Sequence, residues 1–296
     1  MPRLLILGGS NCQVNAFRLA ARRGIDTALF DYLPNPPAAA LAGVHRLAST
    51  FDHAACLAEA RSLNLDGVMT LGTDQPVYTA AYLAHKLGLP SLLDVKTALA
   101  VTNKALMKRI LTDACIPTVP YRLVDKAGLE AVAFSGPVVI KPLDSQGQKG
   151  VFRAEQIAEA VALFDRSIAY SRRQRLLCEM YYPSNEITVS AWVHGGEARV
   201  LTVTDRLTFE DRRHIGVCAA HRYPSRHGAG REAEIASLTR RIAAAFHIPA
   251  GPLYIQLLVG ELGCVVNEIA CRIGGAFEDV LIPWLTGFDI LGAVVD

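Results

Sequence analysis

One stretch near the middle of the chain says most about the fold, and it reads VVIKPLDSQGQKG over residues 138–150. An apolar run ends there in Lys141, and a lysine at the end of a strand that faces a cleft needs an anionic partner to stay charged. The loop that follows, residues 142–150, holds two glycines and can offer backbone N–H groups to phosphate oxygens, with Lys149 adding charge. By itself the loop is explained at least as well by a plain β-hairpin turn, so its interpretation depends on the segments around it.

On the amino-terminal side, residues 1–92 alternate short apolar runs with patterns of amphipathic helix. Asp52 can cap one of these helices, and Gly24 and Gly88 supply stop signals for two others. Strands separated by helices predict a parallel sheet with helices on both of its faces. The predicted strands are 3–7, 27–30, 44–47 and 67–71, and the predicted helices are 13–23, 52–63 and 76–87.

The first strand-to-helix turn, GGSNCQ at residues 8–13, lies where a dinucleotide-binding glycine motif would lie. Asp31 ends the second strand, at the position of an acid that would bind a ribose. However, Ser10 and Gln13 replace two of the three glycines of that motif, which disfavours an NAD site. We therefore interpret the segment as a tight turn, and Asp31 as a loop anchor or a minor substrate contact.

On the carboxyl-terminal side, the pattern changes after a predicted hinge near residues 91–103. The strand 186–193 alternates apolar and polar residues, as a half-exposed antiparallel strand should. The chain thus predicts a Rossmann-like α/β domain with a parallel sheet, followed by a larger α+β part. The further predicted strands are 137–141, 176–180, 199–203, 253–259 and 264–269, and the predicted helices are 92–115, 155–171, 231–246 and a tail over 279–295 that breaks near Gly287.

The composition excludes several classes of protein. Hydrophobic residues make up 51% and charged residues 20% of the 296 residues, which excludes disorder as the main state. Thirty basic residues against 28 acidic residues lack the basic excess of a nucleic-acid binder. No apolar run reaches the roughly 18 residues that span a bilayer. The seven cysteines are widely spaced without a CxxC pair, which indicates free thiols in a reducing cytosol.

The segment after the strand 176–180 is suited to a nucleotide. The apolar strand runs into residues 181–183, and an unpaired hinge of this kind can pair its backbone with an adenine edge while Glu186 holds a ribose. Taken alone, the segment is also explained by an ordinary strand and turn with two surface acids.

Two neighbouring strands near the end of the chain carry oxygen ligands. Gln256 and Glu268 can lie on one face and form a sparse magnesium site that water and phosphate complete. A carboxylate in a core-like strand needs a cation, so an ion pair between Glu268 and Arg272 is the alternative.

Taken together and in this order, these segments resemble the ATP-grasp superfamily, and most of all the branch of the carbamoyl-phosphate synthetase large chain and the carboxylate–amine ligases. The resemblance covers nearly the whole chain, and the segments Thr73-Asp74 and Gly88-Leu89-Pro90 resemble the end of a pre-ATP-grasp domain. No single motif decides it, but their order does. The motifs are TNK at 102–104, VIKP at 139–142, the loop to Gly150, residues 179–186, IQ at 255–256, NEI at 267–269 and RIGG at 272–275.

The resemblance implies three units: a Rossmann-like pre-ATP-grasp domain at residues 1–92, ATP-grasp lobe A at 93–175, and ATP-grasp lobe B at 176–296 with the metal site and the substrate loops. It implies that ATP lies between the lobes and that Gln256 and Glu268 hold Mg²⁺. Two departures from the family pattern leave one or two Mg²⁺ ions undecided: the family commonly has Asn where Ala270 stands, and Glu is more common than Gln at 256.

The resemblance also implies roles for residues of the cleft. Lys141 and Arg272 are implied as catalytic residues, with Arg272 facing the transferred phosphoryl group or the substrate carboxylate. The loop 144–150 would close over the phosphates. The implied nucleotide-binding residues are Lys104, Lys141, Ser145, Gln146, Gly147, Gly150, Glu179, Met180, Tyr181, Tyr182 and Glu186.

The implied reaction has two steps, in which a carboxylate attacks the γ-phosphate to give an acyl phosphate and an amine or other nucleophile then displaces phosphate. Phosphoryl transfer needs chiefly positioning and charge stabilisation, which lysines, Mg²⁺ and an arginine supply. Relatives usually continue beyond the position of Asp296, so either this is a minimal member or a partner or further segment completes the substrate side.

The acceptor pocket is expected to involve residues 205–227 and 274–279. The mixed-charge run DRLTFEDRRH at 205–214 is either a solvated loop or a substrate lid whose arginines meet a carboxylate. We interpret the nearby loop histidines as bystanders and the two tryptophans as core or lobe-packing residues: His221, His227, Trp192 and Trp284.

Several functions stay open at this point. The first hypothesis is a cytoplasmic ADP-forming carboxylate–amine ligase that acts on small molecules; the family suggests a homodimer. The second is carbamoyl-phosphate-type chemistry on bicarbonate or carbamate, and the third is a catalytically silent nucleotide-binding regulatory protein. An NAD-dependent enzyme is the fourth. Neither a nucleic acid nor a membrane is expected as a partner.

Overall fold

The computed structural model describes residues 1–209 and 215–296. The first sheet is formed by the amino-terminal part of the chain. The elements are β1 Arg3–Leu7, α1 Val14–Arg22, β2 Asp26–Asp31, β3 Val44–Leu47, α2 His53–Ala60, β4 Gly67–Met69 and α3 Pro76–Leu87. All four strands are parallel, in the order β3-β2-β1-β4. Alternate residues of β1 enter two different cores, with Ile6 on one face and Leu5 and Leu7 on the other. Helices therefore cover both faces, as the sequence predicts.

The turns of this first domain are anchored by side chains. Gln13 is fully buried and its Nε2 donates to the Leu71 carbonyl at 2.6 Å. The Asp31 carboxylate accepts from the Gly9 N–H at 2.8 Å, so it anchors the loop. The Asp52 carboxylate accepts from the Ala55 N–H at the start of α2, which confirms the predicted cap.

A second, antiparallel sheet follows two helices. The elements of this part are α4 Val95–Thr102, α5 Lys104–Asp113, β5 Tyr121–Val124, α6 Lys126–Glu130, β6 Val138–Pro142, β7 Phe152–Ala154, α7 Ile157–Ile168 and β8 Leu176–Met180. The strand order is β5-β8-β6-β7. Leu129 of α6 and Phe164 of α7 pack with Ile140 and Cys178 of the sheet in one core.

A third, antiparallel sheet carries the rest of the chain. Its elements are β9 Asn185–His194, β10 Glu197–Thr208, β11 Cys218–Arg222, α8 Glu232–Ala245, β12 Ala250–Gly260 and β13 Gly263–Ala270, followed by α9 Glu278–Thr286 and α10 Gly292–Val295. The strand order is β11-β10-β9-β12-β13. The end of the chain returns to the first domain, where Ile282 and Ile290 pack with Ile6 and Phe17. Among the described residues, no helix has the length and apolar character that crossing a bilayer requires.

The structure corrects two expectations about secondary structure and exposure. Residues 92–115 form two helices, because Asn103 breaks the first and caps the second by accepting from the N–H groups of Ala105 and Leu106. The strand β9 is buried on both faces, since Thr188 and Ser190 are 1% and 3% exposed. Its polar side therefore faces other parts of the protein rather than solvent.

The two tryptophans behave differently from each other. Trp192 packs edge-on against Phe288 with ring centroids 5.3 Å apart, in the manner expected of a packing residue. Trp284 on α9 is 81% exposed, so the expectation that it packs in a core or between lobes is wrong. Helix periodicity places it on the outer face of α9, opposite the buried Ile282.

The structure also bears on the unit boundaries 1–92, 93–175 and 176–296, which stay a proposal. The strand β8 pairs with β5 and β6, so we propose to move the second boundary to a point after Met180. The helices α4 and α5 pack in the core of the third sheet, through residues such as Ala98 and Leu111.

The core of the third sheet can be tested with two leucines of one hairpin. Leu257 on β12 is 1% exposed, whereas Leu262 in the turn after it is 83% exposed. We expect Leu257→Ala to lower the free energy of unfolding by about 2–5 kcal/mol, because it removes buried methyl groups and leaves a cavity. We expect the matched control, Leu262→Ala, to change it by less than about 0.5 kcal/mol. Urea unfolding followed by circular dichroism measures both values, and equal effects would contradict the packing described here.

Candidate active site

The centre of the site is a carboxylate between two lysines. Glu179 on β8 forms ion pairs with Lys141 of β6 at 2.6 Å and with Lys108 of α5 at 2.7 Å. Each lysine is paired with a different carboxylate oxygen. The Lys108 ammonium also donates to the Thr118 hydroxyl at 2.6 Å, and the Lys141 ammonium donates to the Asn267 amide oxygen at 3.2 Å. The network thus joins the second sheet to the helix α5 and the third sheet.

All three charged side chains of this network are buried. Burial alone would raise the pKa of the Glu179 carboxyl, but the two ammonium groups outweigh it and hold that pKa below its usual range. Burial, together with the neighbouring Lys141 charge, lowers the pKa of Lys108 to about 8 although Glu179 opposes the shift. At pH 7 the carboxylate is therefore ionised and Lys108 is mostly protonated.

A second ion pair lies beside the first. The Lys104 ammonium is 2.7 Å from the Glu268 carboxylate and donates to the Ser145 carbonyl at 2.9 Å. Burial alone would lower the pKa of Lys104, but Glu268 holds it above its usual value. Burial would conversely raise the pKa of Glu268, and the charges of Lys104 and Lys141 hold it low. Since Asn103 caps α5, the cap fixes the position at which Lys104 enters the site.

The predicted metal ligands face each other across two strands. Gln256 on β12 pairs in register with Glu268 on β13, and a β-bulge follows Gln256. The Asn267 amide lies 3.5 Å from the Gln256 side-chain oxygen. Within residues 1–209 and 215–296, no group of three or more His, Cys, Asp or Glu side chains could hold a metal ion. The donor set is one carboxylate and neutral amides, which suits Mg²⁺ only where water and phosphate oxygens supply the other ligands.

Arg272 follows β13 and reaches the first domain. Two of its guanidinium nitrogens lie 2.8 and 2.7 Å from one oxygen of Asp74, and its guanidinium carbon lies 4.3 Å from the centre of the Tyr254 ring. Burial alone would lower the pKa of Arg272, but the Asp74 carboxylate raises it. Close by, Glu278 accepts from the Gly274 N–H at 2.9 Å, and burial raises the pKa of this carboxyl.

The glycine-containing loop is closed against the first domain. The Gln146 side-chain oxygen accepts from the backbone N–H groups of Asp74 at 2.9 Å and Gln75 at 3.3 Å. At its start, the Asp144 carboxylate accepts from the Ser171 hydroxyl at 2.6 Å. These contacts hold the first half of the loop, at Asp144 and Gln146.

Two glycines of this loop have positive φ angles, 64° at Gly147 and 76° at Gly150. Gly150 also lies in a tight place, because a Cβ there would be 2.9 Å from the Ser167 carbonyl oxygen. A side chain at 150 is therefore excluded twice, by conformation and by space. Gly147 has open space, so only its backbone conformation favours glycine.

In the hinge after β8, two backbone N–H groups are already hydrogen-bonded to other parts of the protein. The Met180 N–H donates to the Pro120 carbonyl at 3.0 Å, and the Tyr181 N–H donates to the Pro137 carbonyl at 2.9 Å. The Tyr182 hydroxyl accepts from the Leu262 N–H at 2.9 Å, which ties the hinge to the turn between β12 and β13. The contact of this hinge with adenine stays a prediction.

Glu186 lies near the start of β9 and pairs with a residue of the neighbouring strand. Its carboxylate is 3.0 Å from Arg206 on β10, and the same guanidinium donates to the Tyr254 hydroxyl at 3.0 Å. Tyr254 thus lies between Arg206 at its hydroxyl and Arg272 at its ring face. The role of Glu186 toward a ribose stays a prediction, and a ribose would have to share this carboxylate with Arg206.

The expected acceptor region is described only in part, because residues 210–214 of the mixed-charge run lie outside the described residues. Asp205 is fully buried and accepts from the Ser225 hydroxyl and from the N–H groups of Arg226 and His227, so it anchors a turn. The His221 ring is 2.8 Å from the Thr204 hydroxyl. Burial and the nearby Arg206 charge lower the pKa of His221 to about 4, so the ring is neutral at pH 7.

The structure brings most of the predicted residues together, and it adds some that the sequence analysis missed. Lys108 lies four residues after Lys104, so both fall on one face of α5, and this spacing was the available signal. Asn267 stands beside Glu268 in a motif already quoted. Tyr254 gives no such signal, because only the pairing of β12 with β9 and of β9 with β10 brings it to Arg206, which lies in the mixed-charge run already quoted.

The comparisons with known proteins concern the fold. No family model matches the chain. Over 235 residues, 72% of this chain, it is 24% identical to the dapdiamide A synthase of Enterobacter agglomerans, and it spans 55% of that relative's length. The fold resembles the L-amino acid ligase of Bacillus licheniformis, with a TM-score of 0.84 at 20% identity, covering all of this chain and 73% of that one.

A second solved structure extends the comparison. It is the biotin carboxylase domain of the 2-oxoglutarate carboxylase from Hydrogenobacter thermophilus, determined with ADP, its magnesium salt and bicarbonate. The TM-score is 0.78 at 17% identity, covering 98% of this chain and 67% of that one. These likenesses confirm the predicted fold class: the chain has the ATP-grasp fold, with a parallel α/β domain followed by an α+β part.

The buried network makes a prediction about stability and pH. We expect Glu179→Gln to lower the free energy of unfolding at pH 7 by about 3–5 kcal/mol, because it leaves two buried ammonium groups without their carboxylate. In the wild type this contribution is fully present above the ordinary pKa of 4.5 and is lost as the pH falls through the lower folded pKa. The difference between wild type and variant should therefore shrink below about pH 4.

Urea unfolding at several pH values between 3 and 7 measures this difference. Glu130→Gln serves as the matched control, because Glu130 is exposed and its substitution should change stability by less than about 0.5 kcal/mol. A difference between wild type and Glu179→Gln that stays constant down to pH 3 would show that the carboxylate is not the titrating group.

Proposed function

We propose that the protein is an ATP-dependent, ADP-forming carboxylate–amine ligase that activates a carboxylate as an acyl phosphate. The observation that carries this proposal is the gathering of three cations around Glu268. Lys104 pairs with this carboxylate directly, and the charges of Lys104, Lys141 and Arg272 all lower its pKa. Gln256 lies in register beside it. Cations from three parts of the fold suit a polyphosphate and its transferred group. The names of the similar proteins, a dapdiamide synthase and an L-amino acid ligase, support this chemistry.

The residues present fit MgATP. Lys104 and Lys141 would bind phosphate oxygens, and Glu268 with Gln256 would hold Mg²⁺ as a sparse site completed by water and phosphate. The ion supplies charge neutralisation on the phosphates when bound. Lys104 already pairs with Glu268, so this lysine and the cation would share one carboxylate. Ala270 offers no oxygen ligand, which favours few protein ligands for the metal.

The chain's own groups can then position the substrates. Arg272 can offer its planar fork to a carboxylate or to the transferred phosphoryl group once Asp74 is displaced. In the first step a carboxylate oxygen attacks the γ-phosphorus, and the bond to ADP breaks. In the second step an amine attacks the acyl carbon and inorganic phosphate leaves, while the amine loses a proton. The loop 144–150, which closes the site, would keep water from the acyl phosphate.

The partners follow from this reaction. We propose a small-molecule carboxylate and a small-molecule amine as substrates, and a homodimer as the assembly. The described cysteines are all free thiols, which agrees with the proposed reducing, cytoplasmic location.

Two other functions keep an observation in their favour. Gln256 stands where Glu is more common in the family. The carbamoyl-phosphate synthetase branch also has Gln there, so this residue fits carbamoyl-phosphate-type chemistry on bicarbonate or carbamate. Each predicted ligand-binding cation is paired with an acid of the protein, Lys104 with Glu268, Lys141 with Glu179 and Arg272 with Asp74. Such pairing is also compatible with a catalytically silent nucleotide-binding protein.

ADP release separates these functions. We expect MgATP to raise the melting temperature, EDTA to remove most of that gain, and NADH to have no effect, because the cleft fits phosphates and the first turn lacks two glycines. We then expect ADP release to require a carboxylate from a panel of amino acids, with hydroxylamine trapping the acyl phosphate. Turnover that depends only on bicarbonate would favour the second function, and MgATP binding without turnover would favour the silent protein. Stabilisation by NADH alone would refute the proposal.

Lys141 can be tested against a matched lysine. We expect Lys141→Met to weaken ATP binding about 10- to 100-fold, because it removes a charged hydrogen-bond donor from the phosphate site. Lys96 on α4 is exposed, so Lys96→Met should leave the dissociation constant for ATP unchanged. Isothermal titration calorimetry with MgATP measures both constants, and equal affinities in the two variants would remove Lys141 from the site.

A further inference from the structure

We propose that Lys108 is a positioning residue, whose charge offsets Glu179 and so leaves the Lys141 ammonium available to the phosphates of the nucleotide. The inference rests on the proposed function, because it concerns the same phosphate site. It assigns a role to a lysine that the family motifs quoted above do not include.

Lys108 acts from behind the site. The residue is 1% exposed, so it has no surface for a ligand. Its ammonium is fully engaged within the protein, at 2.7 Å from Glu179, 2.6 Å from the Thr118 hydroxyl and 3.4 Å from the Val266 carbonyl. Thr118 in turn donates to the same Val266 carbonyl at 2.9 Å, which fixes the place of the ammonium.

Lys141 occupies the other side of the same carboxylate. Its side chain is 7% exposed, against 1% for Lys108, and it continues to Asn267 next to the proposed metal ligand Glu268. Lys141 is therefore the member of the network that a phosphate can reach, and Lys108 is the member that it cannot.

The charges of the three groups explain why the second lysine matters. A carboxylate 2.6 Å from Lys141 would by itself cancel the field of that ammonium at a nearby phosphate. With Lys108 on the other oxygen, the network of one carboxylate and two ammonium groups carries a net charge of +1. A purely structural pair would need only one lysine, since burying a further ammonium group is unfavourable.

The experiment varies this net charge in four proteins. The wild type has a net charge of +1, Lys108→Met lowers it to 0, and the double variant Lys108→Met with Glu179→Gln restores +1. Glu179→Gln removes the carboxylate that keeps Lys108 protonated, so this variant keeps at least the +1 of Lys141. Isothermal titration calorimetry measures dissociation constants for MgATP and for adenosine, which has no phosphate. Lys96→Met, an exposed lysine of the preceding helix, controls for the loss of a positive charge elsewhere.

We expect Lys108→Met to weaken MgATP binding about 10- to 30-fold, because it removes a unit charge from a buried network beside the phosphate site, and to leave adenosine binding within about twofold. The double variant should regain most of the lost MgATP affinity, and Glu179→Gln should bind MgATP at least as tightly as the wild type. If Lys108→Met does not fold, the order of the other three proteins still carries the test.

Other outcomes overturn the inference. Equal losses for MgATP and adenosine would show that Lys108 only maintains the structure, and so would weakened MgATP binding in Glu179→Gln. Unchanged MgATP affinity in Lys108→Met would show that the offsetting charge is not needed. A wild type that binds no MgATP would instead refute the proposed function, and the inference would fall with it.

Discussion

Glu179 forms buried ion pairs with Lys141 and Lys108, and these ion pairs connect separate parts of the fold. An ionised carboxylate cannot be buried without cations, and buried cations cannot stay charged without a carboxylate. The second sheet supplies Glu179 and Lys141, whereas α5, which packs on the third sheet, supplies Lys108. The two α+β lobes are therefore held in one arrangement by a requirement of charge as well as by apolar packing.

The same requirement explains the architecture of the rest of the cleft. Lys104 pairs with Glu268 and Arg272 pairs with Asp74, so each of these buried cations also has an acid beside it. The acids come from β13 and from the first domain. Polar side chains of β9 are buried because they face this charged region, although periodicity alone suggests exposure. The apolar face of the same strand enters the core of the third sheet through residues such as Val189.

The sequence predicts the features that depend on neighbouring residues better than those that depend on residues distant in the chain. The parallel first sheet, the cap at Asp52 and the stop at Gly287 follow from local patterns, and the structure confirms them. The break at Asn103 was missed because apolar periodicity continues across it, while the cap geometry depends on the backbone.

The candidate site was predicted to the extent that its residues lie in short motifs. Lys141 and Glu268 stand in such motifs, whereas Arg206 and Tyr254 are brought together only by the pairing of strands distant in sequence. The sequence did not predict which residues form ion pairs, and it indicated only that Glu268 needs a cation. The alternative to Mg²⁺ at Glu268 was an ion pair with Arg272, and the structure pairs Glu268 with Lys104 instead. The role of Glu268 toward Mg²⁺ stays a prediction.

Asp74 of the first domain contacts both the loop 142–150 and Arg272. Asp74 holds the loop through its backbone N–H, which meets Gln146, and holds Arg272 through its carboxylate. A single residue of the Rossmann-like domain therefore joins the loop 142–150 to Arg272. Opening of the loop and release of the arginine are thermodynamically linked through this residue, so a ligand that favours one of the two shifts the equilibrium of the other.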